Sequence, residues 1–195
     1  MMNKKVKILF VVVAALAVSY TAKAQDFQIG YVQSTGVVGG EKSDPVNGIR
    51  VGINSYQGIA GPLSLQYGLH YSYYQSDTKI LSLFDAKYKG HQLDVPLRIE
   101  ASLPLAGDLK LIGFAGPDFS YVLSGTSQIN DADPVSVYED EDFSRFNVQL
   151  GVGAGLKYRN ATLRFSYDWG VMDQYKSDNI SYKTNTMGIS LSYEL

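Results

Sequence analysis

The side chains able to do chemistry fall at alternate positions along short stretches of this chain. His70 and Ser72 stand two apart in the run from Leu63 to Tyr73. An imidazole beside a hydroxyl is two thirds of a hydrolytic triad, but the sequence sets no acid beside this pair. Charged residues recur in the same alternating manner at Arg50, Asp94, Arg98, Glu100, Asp118, Lys157, Arg164, Asp168 and Glu194. Cations and carboxylates held out of water must pair and hydrogen-bond, so together with His70 they form a candidate buried polar network. A third cluster, Asp131, Asp133, Glu139, Asp140, Glu141 and Asp142, lies in a stretch without Lys or Arg. Clustered carboxylates bind Ca²⁺ or bridge through divalent ions to lipid phosphates. Their spacing matches no EF-hand, and a solvated acidic loop is the competing reading.

Composition removes several classes of chemistry. The chain has no Cys, which excludes disulfides and thiolate metal sites, and only two His. No metal site and no cofactor are expected. The formal charge is −2 without a basic cluster, so nucleic acid is not an expected partner.

The elements that position these groups read as strands. In Met187-Gly-Ile-Ser-Leu-Ser-Tyr-Glu-Leu195 every second residue is apolar, from Met187 to Leu195. Successive side chains of a strand point to opposite faces, so this period of two marks a strand with one greasy side. The pattern recurs about eight times. Strands are expected to begin near Phe27 and to run about 46–55, 63–73, 92–103, 109–124, 146–158, 163–170 and 187–195. Tight turns are expected at 58–62, 104–108 and 159–160, with longer loops on the other side. The apolar core of the loop at 76–87, Ile80 to Phe84, reads equally as a short helix or as an extension of its hairpin. Pro96 cannot donate to a ladder, so a bulge is expected there. Ile112 and Phe114 fall on the polar side of their strand, and a bulge at Gly116-Pro117 would reset the phase.

Two barrels fit such alternation. A secreted, lipocalin-like carrier of a small apolar ligand turns its apolar faces inward. A membrane barrel turns them out. The apolar faces of the third, fourth, sixth, seventh and eighth strands carry no charge, and the opposite faces are rich in Gly, Ser and Gln. Lipid demands the first feature, since Arg or Lys at the midplane costs about 2–4 kcal/mol. A narrow interior suits the second. Tyr71, Tyr73, Tyr121 and Trp169 would mark one interface, and Tyr158 and Tyr193 the other. The expected fold is therefore all-β: a closed antiparallel up-and-down transmembrane β-barrel of about eight strands.

Residues 1–24 stand apart. Lys4, Lys5 and Lys7 precede an apolar run from Ile8 to Val18, and Ala22-Lys-Ala24 follows. That order predicts a signal peptide cleaved before Gln25 and a barrel domain over 25–195.

Asp94-Val-Pro-Leu-Arg98, Gly116-Pro-Asp-Phe-Ser-Tyr-Val-Leu-Ser-Gly125, Val152-Gly-Ala-Gly-Leu-Lys-Tyr158 and Leu163-Arg-Phe-Ser-Tyr-Asp-Trp-Gly170 resemble the PorT-like outer-membrane β-barrel proteins of Bacteroidota. One departure is Leu195, where many such barrels end on an aromatic. The resemblance implies an eight-stranded barrel inserted by the barrel assembly machinery, in contact with outer-membrane lipid and lipopolysaccharide. The leading expectation for the chain is a non-enzymatic role in envelope architecture, secretion support or loop-mediated interaction with an envelope protein. A lipid-modifying barrel enzyme is the least supported alternative, because His70 and Ser72 fall on the inward face, away from lipid.

Overall fold

A computed structural model of the chain describes residues 24–80, 84–129, 133–138, 143–175 and 181–195. The strands are β1 (Ala24–Val38), β2 (Glu41–Lys42), β3 (Val46–Ala60), β4 (Leu63–Ile80), β5 (Phe84–Ala106), β6 (Leu109–Ile129), β7 (Val135–Ser136), β8 (Phe146–Tyr158), β9 (Ala161–Gly170) and β10 (Tyr182–Glu194). All pairings are antiparallel, in the ring order β1, β3, β4, β5, β6, β8, β9, β10. The ring closes where β10 pairs β1, from Asp26 opposite Glu194 to Val38 opposite Tyr182. Closure leaves no open edge among these eight strands, which a backbone in hydrocarbon requires. The two-residue β2 and β7 fold back on β1 and β6.

The pleat sorts the side chains as the alternation predicts. Leu97, Leu150 and Leu191 are 40, 50 and 54 % exposed on the outer face, while Arg98 and Asp168 are 6 and 1 % exposed inside. An apolar belt of this kind is untenable in water and is what the bilayer requires. The soluble-carrier alternative is thereby overturned, since its lumen would be greasy and its exterior polar. Tyr158 and Tyr193, each level with Ala161, stand exposed at the end that bears the chain termini and short turns.

Several local expectations need correction. No bulge forms at Pro96. The β4–β5 ladder pairs Tyr67 with Leu97 and His70 with Asp94 and skips the two positions between without losing register. Pro96 itself is fully buried on the inner face. Register shifts occur instead at His91/Gln92, Pro104/Ala106 and Gly58/Ala60, near the ends of the hairpins. Nor does β6 change phase at Gly116-Pro117: its register with β8 runs unbroken from Leu109 to Tyr121. Ile112 and Phe114 are therefore inside, 1 and 6 % exposed, on the same face as Asp118. Gly116 serves close approach rather than a phase change, for a Cβ there would lie 2.3 Å from the Leu97 carbonyl oxygen.

The strands outrun their expected ends on the long-loop side. Ile80 pairs Phe84 in a continued hairpin rather than a helix, with 81–83 outside the described residues. The expected signal peptide also lies outside them, apart from Ala24, where β1 begins.

Candidate functional site

The inward residues of the eight strands converge because an eight-stranded ring leaves an interior just wide enough for side chains. Near the turn end Lys157 of β8 pairs with Glu194 of β10, both half-buried.

Deeper, Arg164 of β9 spans the lumen. Its Nη1 donates to Glu100 Oε2 of β5 at 2.5 Å, and its Nη2 donates to Tyr56 Oη of β3 at 2.8 Å. Tyr56 passes the contact on, donating to Asp26 Oδ2 of β1 at 2.7 Å. Ser192 of β10 donates to the same oxygen at 2.8 Å. Asn54 links this group to the next: its Nδ2 donates to Asp26 Oδ1 at 2.8 Å and to Gln28 Oε1 at 3.0 Å. Its Oδ1 accepts from Gln66 at 3.1 Å and from His70 Nε2 at 2.9 Å. That contact assigns the His70 proton to Nε2.

Arg98 of β5 forms the next layer, with Nη2 at 2.6 Å from Asp168 Oδ1 and 3.3 Å from Asp118 Oδ2. The Phe114 ring lies 5.2 Å from the Arg98 guanidinium and 5.6 Å from that of Arg164. Both cations thus lie against one aromatic ring as well as on carboxylates. Above them Arg50 pairs with Asp94 at 3.2 Å. Ser72 joins the two, accepting from Arg50 Nε at 2.9 Å and donating to Asp94 Oδ2 at 2.6 Å.

Glycines on β8 make room for this packing. A Cβ on Gly151 would fall 1.7 Å from Asp168 Oδ1, and one on Gly153 would fall 2.1 Å from the Phe114 ring.

All ten inward candidates of the sequence therefore line one interior, and ion pairs or hydrogen bonds tie each to a neighbour. The His70–Ser72 pair does not form a unit: the hydrogen bonds of His70 run to Asn54, and those of Ser72 to Arg50 and Asp94. His91, at the β5 register shift, accepts or donates at 2.5 Å with Tyr71 Oη and packs 5.1 Å from the Tyr73 ring. It belongs to the outer aromatic girdle. Of the acidic cluster only Asp133 is described, so the cation site suggested for Asp131, Asp133, Glu139, Asp140, Glu141 and Asp142 lies outside the described residues. Among the described residues no three His, Asp or Glu side chains are grouped to hold a metal.

Asp26, Asn54, Tyr56 and Phe114 belong to the network without having been singled out by sequence. Asp26 and Tyr56 continue the inward parity of β1 and β3 by one step past the expected strand ends. Phe114 has the right parity but the wrong polarity for a lumen read as polar throughout.

The family model described as outer membrane protein beta-barrel domain matches residues 14–176. Among solved structures, Neisserial surface protein A (NspA) superimposes with a TM-score of 0.53 at 10 % identity, covering 87 % of this chain and 96 % of that one. Ail, the attachment invasion locus protein of Yersinia pestis, gives 0.49 at 15 % identity, with 88 and 98 % covered. The outer membrane enzyme PagL gives 0.45 at 16 % identity, with 85 and 98 % covered. At these identities the NspA likeness speaks to the fold alone. Comparison with curated proteins finds no match in sequence.

Proposed function

This chain belongs to the outer membrane protein beta-barrel domain family, and from that premise we propose that it is a non-enzymatic barrel whose packed lumen passes no solute. It acts through the surface it presents to the envelope, in envelope architecture, secretion support or a loop-mediated contact. Within the family we propose a PorT-like barrel, a reading supported by the four motifs of the sequence. Its expected surroundings are outer-membrane lipid and lipopolysaccharide, with insertion by the barrel assembly machinery.

One observation carries the reading. Arg98 and Arg164 each reach a carboxylate across the lumen, bridging β5 and β9 with two strands between them. Side chains that meet across the ring leave no continuous aqueous path. Breaking such pairs leaves buried charge exposed to hydrocarbon-like surroundings, so the plug is held rather than gated. A non-catalytic role is supported by the occupied hydrogen bonds of Ser72, which leave its hydroxyl tied to Asp94 rather than to an imidazole.

Conductance of the refolded barrel in planar bilayers tests the proposal. We expect no channel steps from the native chain. Regular ohmic steps at native ion-pair geometry would refute it.

A further inference from the structure

The outer face of β5 changes character at the long-loop end. Its outward positions from Leu103 to Leu93 are all apolar. At about 3.4 Å per residue and a tilt near 40°, that stretch rises about 25 Å, the height of a hydrocarbon band. His91 follows, with Tyr71 Oη 2.5 Å from its Nδ1 and the Tyr73 ring 5.1 Å away. Lys89 and Lys87 come next in the same alternation, both exposed. Between them Tyr88 lines the interior, and a Cβ on Gly90 would strike the Tyr88 hydroxyl at 2.6 Å. The two lysines therefore point away from the lumen.

Register sets the company each lysine keeps. Lys89 lies opposite Gln75 of β4 and Thr126 of β6. Gln75 Oε1 accepts the Tyr73 hydroxyl at 3.1 Å, which leaves Nε2 as the donor that Gln75 presents. Ser127 lines the interior, so Thr126 beside it turns its hydroxyl to the outer face. An ammonium, an amide and a hydroxyl thus form one row of donors across three strands, about 10 Å wide at the usual strand spacing. In the next row out, Lys87 lies opposite Asp77 and Gln128. Asp77 offsets the Lys87 charge across the ladder, so the positive charge of the two rows is centred on Lys89.

Depth and charge select the partner. Barrels of this kind keep short turns on the periplasmic side and longer loops outside, so the row faces the outer leaflet. By the same rise and tilt Lys89 stands about 10 Å beyond Leu93, past the hydrocarbon and level with lipid headgroups. A lysine there lays its stem on the girdle and its ammonium in the polar layer. Phosphate oxygens take several donors at once, most strongly when one is charged. The outer leaflet of an outer membrane offers such a group in the phosphate of lipid A.

We propose that the outer face of β4, β5 and β6 holds a lipid A phosphate, with Lys89 Nζ, Gln75 Nε2 and Thr126 Oγ1 as donors and Tyr71, Tyr73 and His91 against the start of the acyl chains. The proposal rests on the envelope-surface reading above and gives its lipopolysaccharide contact a location. Conductance does not bear on it.

The test uses the full barrel refolded in detergent micelles, with its fold checked by heat-dependent gel mobility. Native mass spectrometry would measure retention of diphosphoryl lipid A, of the same lipid after dephosphorylation, and of phosphatidylglycerol. The phosphorylated lipid A should be held more tightly than either of the others. Lys89→Gln should weaken it about tenfold, the factor expected for one charge-assisted hydrogen bond. Lys110→Gln, which removes an exposed cation at the turn end, should leave it unchanged. Equal retention of the dephosphorylated lipid or of phosphatidylglycerol, unchanged affinity in a folded Lys89→Gln barrel, or an equal loss in Lys110→Gln would overturn the proposal. A barrel that fails in this way yet passes no current refutes the lipid site and leaves the sealed-barrel reading standing.

Discussion

Arg98 on β5 and Asp168 on β9 meet at 2.6 Å although two strands, β6 and β8, lie between them in the ring. The pair is a strut across the barrel, and Asp118 at 3.3 Å is its second footing. Removing one partner of a buried pair typically costs about 3–5 kcal/mol, because the other is left uncompensated. Arg98→Met strands two carboxylates and should fall in that range. Asp168→Asn should cost less, since Arg98 keeps Asp118. Urea unfolding in micelles or liposomes would give the order; equal losses would show that Asp118 adds nothing.

Gly151 makes the same strut possible from the facing strand. A methyl group there would collide with the Asp168 carboxylate and nothing else closer than 3 Å. Overpacking of this kind costs about 1–3 kcal/mol. Gly151→Ala and Asp168→Ala should therefore be strongly non-additive, the double variant losing much less than the sum of the singles. Additive losses would mean that the methyl group is accommodated without moving Asp168.

The two faces of β9 give a sharper contrast. Phe165 is 50 % exposed on the outer face, and Ser166 follows it on the inner one. Phe165→Arg places a cation in hydrocarbon at about 2–4 kcal/mol and should reduce insertion into liposomes, read as loss of the heat-modifiable folded band. Ser166→Ala should insert like the native chain.

Outside the membrane, Asp173 ties down the connection between β9 and β10. Its Oδ1 accepts from the backbone N–H of Tyr182 at 2.9 Å and of Tyr175 at 3.1 Å. These donors favour the charged form and hold its pKa below the ordinary carboxylate value of 3.8. The folded value being depressed, the contribution is fully present above about pH 4 and is lost as pH falls through the folded value. Amide exchange at Tyr182 should accelerate at the acid end, relative to intrinsic rates, in the native barrel. In Asp173→Asn it should be faster at neutral pH and insensitive to that window.

Much of this architecture is written in the period-two pattern. Parity alone places Arg50, Asp94, Arg98, Arg164 and Asp168 on the inside, because a strand has only two faces and one of them carries no charge. Parity says nothing about which inward residues meet. Arg164 and Glu100 lie 64 positions apart and touch only because the ring closes. Polarity misleads at Ile112 and Phe114. Their strand keeps its phase, and the lumen takes apolar groups where an arginine can lie on a ring. The register shifts were misplaced for a related reason. Pro96 looks disruptive on paper, yet the ladder steps over it and shifts near its ends.

The most direct test of the account needs no substitution. Methyl groups of the native barrel in lipid nanodiscs would be examined for NOEs to acyl chains. Leu97, Leu150 and Leu191 are predicted to show them, and the buried Val32 and Ile112, 2 and 1 % exposed, are predicted to show none. Acyl-chain contacts at Val32 and Ile112, with Leu97, Leu150 and Leu191 contacting one another instead, would contradict it.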